Sequence, residues 1–262
     1  MDLLIFKTTW GMQGSRAEVL ARIADAGYDG VELNPPRTKP EATALRKLLD
    51  KHKLHLVTIG PCPTVADTTD LLTWSARLNA LKISVHGGRD SFTWDEGCSY
   101  FEAALEAATR LKVQAAHETH RTRILFTPWT TAAYLKRFPE LRICADLSHW
   151  VTVCERLLDD RADDLELAIG RSIQTHARVG HEEGAQVSDP RAPEWANQVA
   201  VHIGWWKRIA AAHRARGEKV MTATIEWGPP NYMTTLPYTR QPVANLEDIC
   251  TWMKDKLRAE LS

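Results

Sequence analysis

The 262-residue chain has no excess of either charge, because 33 Lys and Arg balance 33 Asp and Glu. No strong basic field exists to hold a nucleic-acid backbone or an anionic membrane, so neither is an expected partner. Cys-x-x-Cys pairs are missing too. The five cysteines, Cys62, Cys98, Cys144, Cys154 and Cys250, are odd in number and read as reduced packing thiols of a cytoplasmic protein. No apolar run approaches membrane-spanning length. The stretch from Met1 to Lys7 has too short an apolar run, and the wrong flanking charge, for a signal peptide. No linker, composition shift or low-complexity segment divides the chain. What is present is an ordinary globular mixture, 44% apolar and 25% charged. Its length suits one α/β barrel domain as well as two smaller domains.

Short apolar runs alternate with amphipathic segments throughout. Strands are expected at Leu3–Phe6, Tyr28–Leu33, Leu54–Ile59, Leu81–Val85, Val113–His117, Leu141–Ala145, Ser172–Thr175 and Met221–Ile225. Helices are expected at Ser15–Asp25, Pro40–His52, Asp67–Asn79, Glu96–Lys112, Thr130–Phe138, Trp150–Ile169 with a break near Asp159–Arg161, Glu194–Arg214, and Leu246–Leu261. Strand-then-helix units repeating every 25 to 50 residues or so predict a single (β/α)8 TIM barrel over the whole chain rather than an open sheet.

In such a barrel the active site lies at the C-terminal strand ends. That rule selects His86, Glu118, Asp146 with His149, His176 with Arg178, and Glu226. A lone carboxylate at a strand end is usually a helix cap, and Asp146 is well placed to be one. Several unpaired carboxylates at one mouth, however, repel each other unless a cation or protons lie between them. A divalent metal is the simplest way to satisfy Glu118, Asp146, His176 and Glu226 together. Three carboxylates and one imidazole suit Mn²⁺ first, then Mg²⁺ or Co²⁺, without excluding Zn²⁺.

Trp10, Trp94, Trp129, Trp150 and Trp227 follow strands or lie in the next loops. They are read either as an apolar platform for a sugar ring, with Trp10 and Trp227 first, or as packing between helices. His86 and His120 are candidates for binding a hydroxyl, for a second metal, or for a structural role. Trp205 and Trp206 are expected to pack within the barrel or against another subunit of a homo-oligomer. The polar loop from Val179 to Pro193 is long enough to be a lid, or is merely an insertion.

The ordered motifs His-Glu118-Thr-His-Arg, Ala-Asp146-Leu-Ser-His149-Trp, Gln-Thr-His176-Ala-Arg178-Val and Ile-Glu226-Trp-Gly, with Gly27-Tyr-Asp-Gly-Val-Glu-Leu33, resemble the xylose isomerase-like TIM barrel superfamily. Within it they are similar to the sugar phosphate isomerase/epimerase group, which includes ketose 3-epimerases. The resemblance implies one divalent metal on Glu118, Asp146, His176 and Glu226. It also implies an acid/base pair in Glu118 and Glu226, with His149 and Arg178 on substrate oxygens. Removing a proton alpha to a sugar carbonyl gives an enediolate, a charge that a cation on the substrate oxygens stabilises. The same chemistry becomes elimination when a leaving group sits beta to the carbanion, so a lyase of inosose-dehydratase or 3-keto-glycoside type is the alternative.

An abasic-site endonuclease shares the barrel but is disfavoured. Such nucleases carry an Asp-x-His after strand seven, where this chain has Asp189-Pro-Arg191, and the net charge here is zero. The loop Trp227-Gly-Pro-Pro-Asn-Tyr232 has no glycine-rich phosphate cradle. An unphosphorylated sugar or glycoside is therefore the expected substrate.

Overall fold

Side-chain caps set where most helices begin. Ser15, Thr64 and Thr93 each accept a bond from the backbone N–H three residues on, and Glu18, Asp67 and Glu96 reach back in return. Such reciprocal caps satisfy donors that the first helical turn leaves free. Thr38 and Thr127 cap two more helices that carry proline in the first turn. In the computed structural model, which describes residues 1–261, these signals produce α1 (Arg16–Asp25), α2 (Lys39–His52), α3 (Val65–Arg77), α4 (Trp94–Leu111) and α5 (Pro128–Arg137).

The strands are β1 (Asp2–Thr8), β2 (Gly30–Leu33), β3 (His55–Cys62), β4 (Lys82–Gly87), β5 (Ala115–Glu118), β6 (Ile143–Ala145), β7 (Ser172–His176) and β8 (Val220–Ile225). All pair in parallel with their sequence neighbours, and β1 closes on β8 from Asp2–Val220 to Lys7–Ile225. The fold is the expected single (β/α)8 barrel.

Most element ends fall within two residues of the pattern-based reading, and three differences are larger. β3 runs on past the expected end at Ile59, because Gly60, Pro61 and Cys62 also pair with β4. The sixth helix is two helices, α6 (Leu147–Cys154) and α7 (Ala162–Arg171). The chain leaves α6 through left-handed Glu155 and turns again at Leu158, so the break is longer than the Asp159–Arg161 charge cluster suggested. α6 also starts three residues before Trp150, which places His149 in its first turn. The remaining helices are α8 (Ala196–Ala215), preceded by one 3-10 turn, and α9 (Leu246–Leu261).

Val31 and Leu33 of β2 bury outward against the α1 side chains Leu20 and Ile23. Alternation then turns Glu32 inward. Ser84 of β4 and Cys144 of β6 join it there, with Ser84 Oγ 2.6 Å from Glu32 Oε1 and 3.8 Å from Cys144 Sγ. Residues from alternate strands form one layer, as barrels of this class require, but here the layer is polar. Trp205 and Trp206 on α8 are buried in the shell between barrel and helices. Among the described residues no helix is long and apolar enough to cross a membrane.

The loop after β7 is fastened to this scaffold. Val187 N–H donates to Val179 O at 2.9 Å. The two amide groups of Gln186 and Gly228 bond reciprocally, at 2.7 and 3.1 Å, tying it to the loop after β8. Ala185, Gln186 and Val187 are buried, so this part of the loop packs as a rim of the barrel mouth.

His202 on α8 holds the start of this loop, since its Nδ1 meets Gln198 O at 2.8 Å and its Nε2 accepts from Gly180 N–H at 3.3 Å. That arrangement needs a neutral ring, and burial lowers its pKa to about 4 from 6.5. A folded-state pKa below the unfolded one means that stability is complete above pH 6.5 and is lost as pH falls toward 4. His202 alone is expected to remove about 3 kcal/mol across that window. Urea unfolding at several pH values should show a shallower acid loss for His202→Gln than for the parent; identical slopes would disprove the assignment.

Candidate active site

Asp146 shows how local folding builds the site. Its Oδ1 caps α6 by accepting from Ser148 N–H at 3.1 Å, so the helix-cap reading holds. Its Oδ2 faces the other way and pairs with the Arg178 guanidinium. Thr119 Oγ1 fixes the adjoining backbone from both sides, accepting from Asp146 N–H at 2.8 Å and donating to Asp146 O at 2.9 Å.

Around Asp146 Oδ2 the other strand ends converge. Ligand atoms of Glu118, Asp146, His176 and Glu226 all lie within 4.8 Å of one another, and all four residues are buried. His176 Nδ1 is 3.0 Å from Glu226 Oε2 and 3.6 Å from Glu118 Oε1. Both Glu118 oxygens, His176 Nδ1 and Glu226 Oε2 are buried without a properly aligned hydrogen bond. Protein interiors rarely leave such atoms unsatisfied. Hard oxygen donors plus one imidazole nitrogen, crowded and without aligned hydrogen bonds, fit a divalent cation. Glu118, His120 and His149 form a second group of atoms within the same span.

The charges of the site are balanced among its own side chains. Burial works against ionisation of Glu118, yet the His86 and His176 imidazoles hold it well below the usual carboxylate range. Burial likewise opposes the Glu226 charge, which His176 and Arg178 nevertheless bring down to about 2. Asp146 is pushed up to about 6 by burial, with Arg178 restraining the rise. Burial works against the charge on His176, but Cys144 and the carboxylates of Glu226, Glu32 and Glu118 lift it well above its ordinary value. The positive charge facing the carboxylates comes from the protonated His176 imidazole and the Arg178 guanidinium. Metal ligation by His176 requires loss of that proton.

Beside the cluster opens a cavity of about 290 Å³, lined in part by Trp10, His86, His120, Arg178, Glu226 and Tyr232. This volume is close to the lower end of small-ligand sites. A larger hollow, of about 660 Å³, lies at the opposite end of the barrel among Lys82, Glu218 and Lys219, away from the ligand cluster. Glu226 borders the mouth cavity directly. Glu118 stands behind His86, whose Nε2 contacts Glu118 Oε2.

His149 does not line the cavity. It is fully buried between the His120 ring, 3.9 Å away, and Arg178 Nη2, 2.8 Å away. Nor does Trp227 line it, being completely buried in the core. The tryptophan platform reduces to Trp10, for reasons of packing. Trp150 is buried with its indole N–H on Leu125 O at 2.9 Å, while Trp94 stacks on Tyr134 and Trp129 lies under Arg161. Two residues went unread in the sequence. Tyr232 lies edge-on to Trp10 and beneath Arg178, at 5.0 and 4.9 Å, and its Pro-Pro-Asn loop carries no local signal of this. Glu32 sits 3.1 Å from His176 Nε2, and a lone carboxylate inside an apolar strand was a signal available in Val31-Glu32-Leu33.

A family model described as xylose isomerase-like TIM barrel matches residues 20–227, from α1 through the end of β8 and past Glu226. The chain belongs to this family. Solved structures agree with the xylose isomerase-like barrel along its length. A 3-keto-D-glucoside 4-epimerase from E. coli superposes with a TM-score of 0.64 at 13% identity, over 98% of this chain and 100% of the other. A probable 3-DHS dehydratase from Bacillus anthracis gives 0.64 at 14%, over 97% and 98%. A sugar phosphate isomerase/epimerase from Parabacteroides distasonis gives 0.64 at 11%, over 99% and 95%. At these identities the likeness is one of fold. No curated protein matches the sequence.

Proposed function

We propose that this xylose isomerase-like barrel is a divalent-metal-dependent isomerase or epimerase of an unphosphorylated sugar or keto-sugar. The observation that carries the reading is the buried Glu118–Asp146–His176–Glu226 cluster, with unsatisfied donor atoms, at the edge of a ligand-sized cavity. When bound there, a divalent cation, Mn²⁺ by preference, would supply Lewis-acid stabilisation of negative charge on substrate oxygens.

The chain's own residues do the rest. Glu226 reaches the cavity from β8 and is ionised, as a base that removes a proton alpha to a carbonyl must be. Glu118 approaches from β5, three strands away around the barrel, with the His86 imidazole on its Oε2; it would pass a proton taken from His86 to the opposite face of the substrate, while Glu226 keeps the proton it removed until that proton is released to solvent. Arg178 faces the cavity with Tyr232 under its guanidinium, ready for substrate oxygens. His149, an acceptor for Arg178 Nη2, orients that guanidinium from behind. Trp10 and Tyr232 provide an apolar wall for one face of a sugar. The small cavity and the balanced charge support a small-molecule substrate and not a nucleic acid. The unpaired cysteines support a reducing, cytoplasmic compartment.

A lyase uses the same first proton transfer, and one experiment separates the two. The purified protein, its metal content measured, is incubated in D₂O with a panel of free ketoses and 3-keto-glycosides. Deuterium appearing at carbon without loss of water or aglycone is the expected result. An absorbing enone or a released aglycone would replace the isomerase by the lyase, and no exchange with any member of the panel would sink both.

A further inference from the structure

Glu32 takes no part in the ligand cluster, yet it is buried inside the barrel one layer below it. Its Oε1 accepts from Ser84 Oγ at 2.6 Å and lies 3.1 Å from His176 Nε2. Its Oε2 has no partner. A carboxylate buried with half of its acceptor capacity unused is costly to fold. Its location indicates what offsets that cost. His176 turns Nδ1 toward Glu118 and Glu226 and turns Nε2, on the far side of the ring, toward Glu32.

A neutral imidazole carries one proton, so the nitrogen that donates a hydrogen bond determines which one has the free lone pair. If Nε2–H donates to Glu32, the lone pair falls on Nδ1 and points into the cluster. Ser84 holds the arrangement, since its hydroxyl donates to Glu32 and also lies 3.4 Å from His176 Nε2.

We infer that Glu32, held by Ser84, is the positioning residue that makes His176 an Nδ1 metal ligand. This rests on the metal reading proposed above. A carboxylate behind a ligating histidine fixes the ring and raises its basicity, and removing such a partner typically weakens metal affinity about 10–100-fold. The carboxylate acts only through His176 and neither contacts the cavity nor enters the ligand set.

Mn²⁺ binding, followed by the EPR signal of the free ion, tests this without any substrate. Glu32→Ala should raise the Mn²⁺ Kd by about 10–100-fold, and Glu32→Gln, which keeps an acceptor oxygen but loses the charge, should raise it less. Metal-free Glu32→Ala is expected to melt below the metal-free parent, because His176 and Ser84 lose a buried partner, so the Mn²⁺ affinity is the deciding reading. A lower melting point with unchanged Mn²⁺ affinity would mean a purely structural role and would overturn the inference. A measurement on the unmutated chain covers the case of a variant that fails to fold. With Zn²⁺ bound, ¹⁵N NMR of His176 should place the remaining ring proton on Nε2; a proton on Nδ1 would overturn the assignment. If the parent itself binds no Mn²⁺, the metal reading fails first. If the parent binds and Glu32→Ala binds equally well, this inference fails alone.

Discussion

Glu226→Gln is expected to lower turnover by roughly 10²–10⁴-fold, the contribution typical of a positioned general base. The substitution preserves size and leaves an amide oxygen where a carboxylate stood. It removes the one ionised carboxylate of the cluster that borders the cavity. The loss should fall on kcat, since the substrate contacts proposed for Arg178, Tyr232 and Trp10 are unaltered. Glu226 is also a proposed ligand, so the assay is run at saturating Mn²⁺ to separate weakened ion binding from lost proton transfer. The decisive reading is exchange of the substrate's carbon-bound hydrogen with D₂O, which should vanish along with turnover. Unchanged turnover in Glu226→Gln would refute the acid/base role.

Chelation should have an equally large effect. Treatment with EDTA is expected to take activity to background, and Mn²⁺, Co²⁺ or Mg²⁺ should restore it. The cause is the donor set itself: without an ion, Glu118, Asp146 and Glu226 are balanced by a protonated His176 and by Arg178, and His176 cannot ligate while protonated. An ion at 100 times its Kd should also stabilise the fold by about 2.7 kcal/mol, visible as a higher melting temperature. Because the ion displaces a proton, its apparent affinity should weaken as pH falls. Full activity in exhaustively chelated protein would remove the basis of the proposed mechanism.

The barrel was legible because each strand is a short apolar run and most helices are capped amphipathic ones, cues that act within a few residues. The ligand cluster was legible for a related reason: in a barrel, strand ends distant in sequence share one mouth, so the chain order of Glu118, Asp146, His176 and Glu226 carries their meeting point. What lies behind and around those ends was not. His149 belongs to the first turn of α6, because Asp146 caps that helix earlier than the apolar pattern indicates, and the turn aims the imidazole at Arg178. Tyr232 reaches Arg178 from a loop without periodicity. Trp227, adjacent to Glu226 in sequence, points into the core, since neighbouring positions leaving a strand face opposite ways.

The clasp between Gln186 and Gly228 also bears on selectivity. It joins the loops after β7 and β8 through a side-chain amide that mimics a peptide pairing, and Gly228 has no room for a side chain because a Cβ there would come within 2.5 Å of the Trp10 ring. Trp10, Gly228 and Gln186 thus form a chain of contacts from the wall of the cavity to its rim. On this side of the mouth the entropy of ordering is met during folding and not at the encounter with ligand. Discrimination among sugars should accordingly arise here from the outline of a preassembled aperture, with poorly fitting stereoisomers excluded by shape at entry.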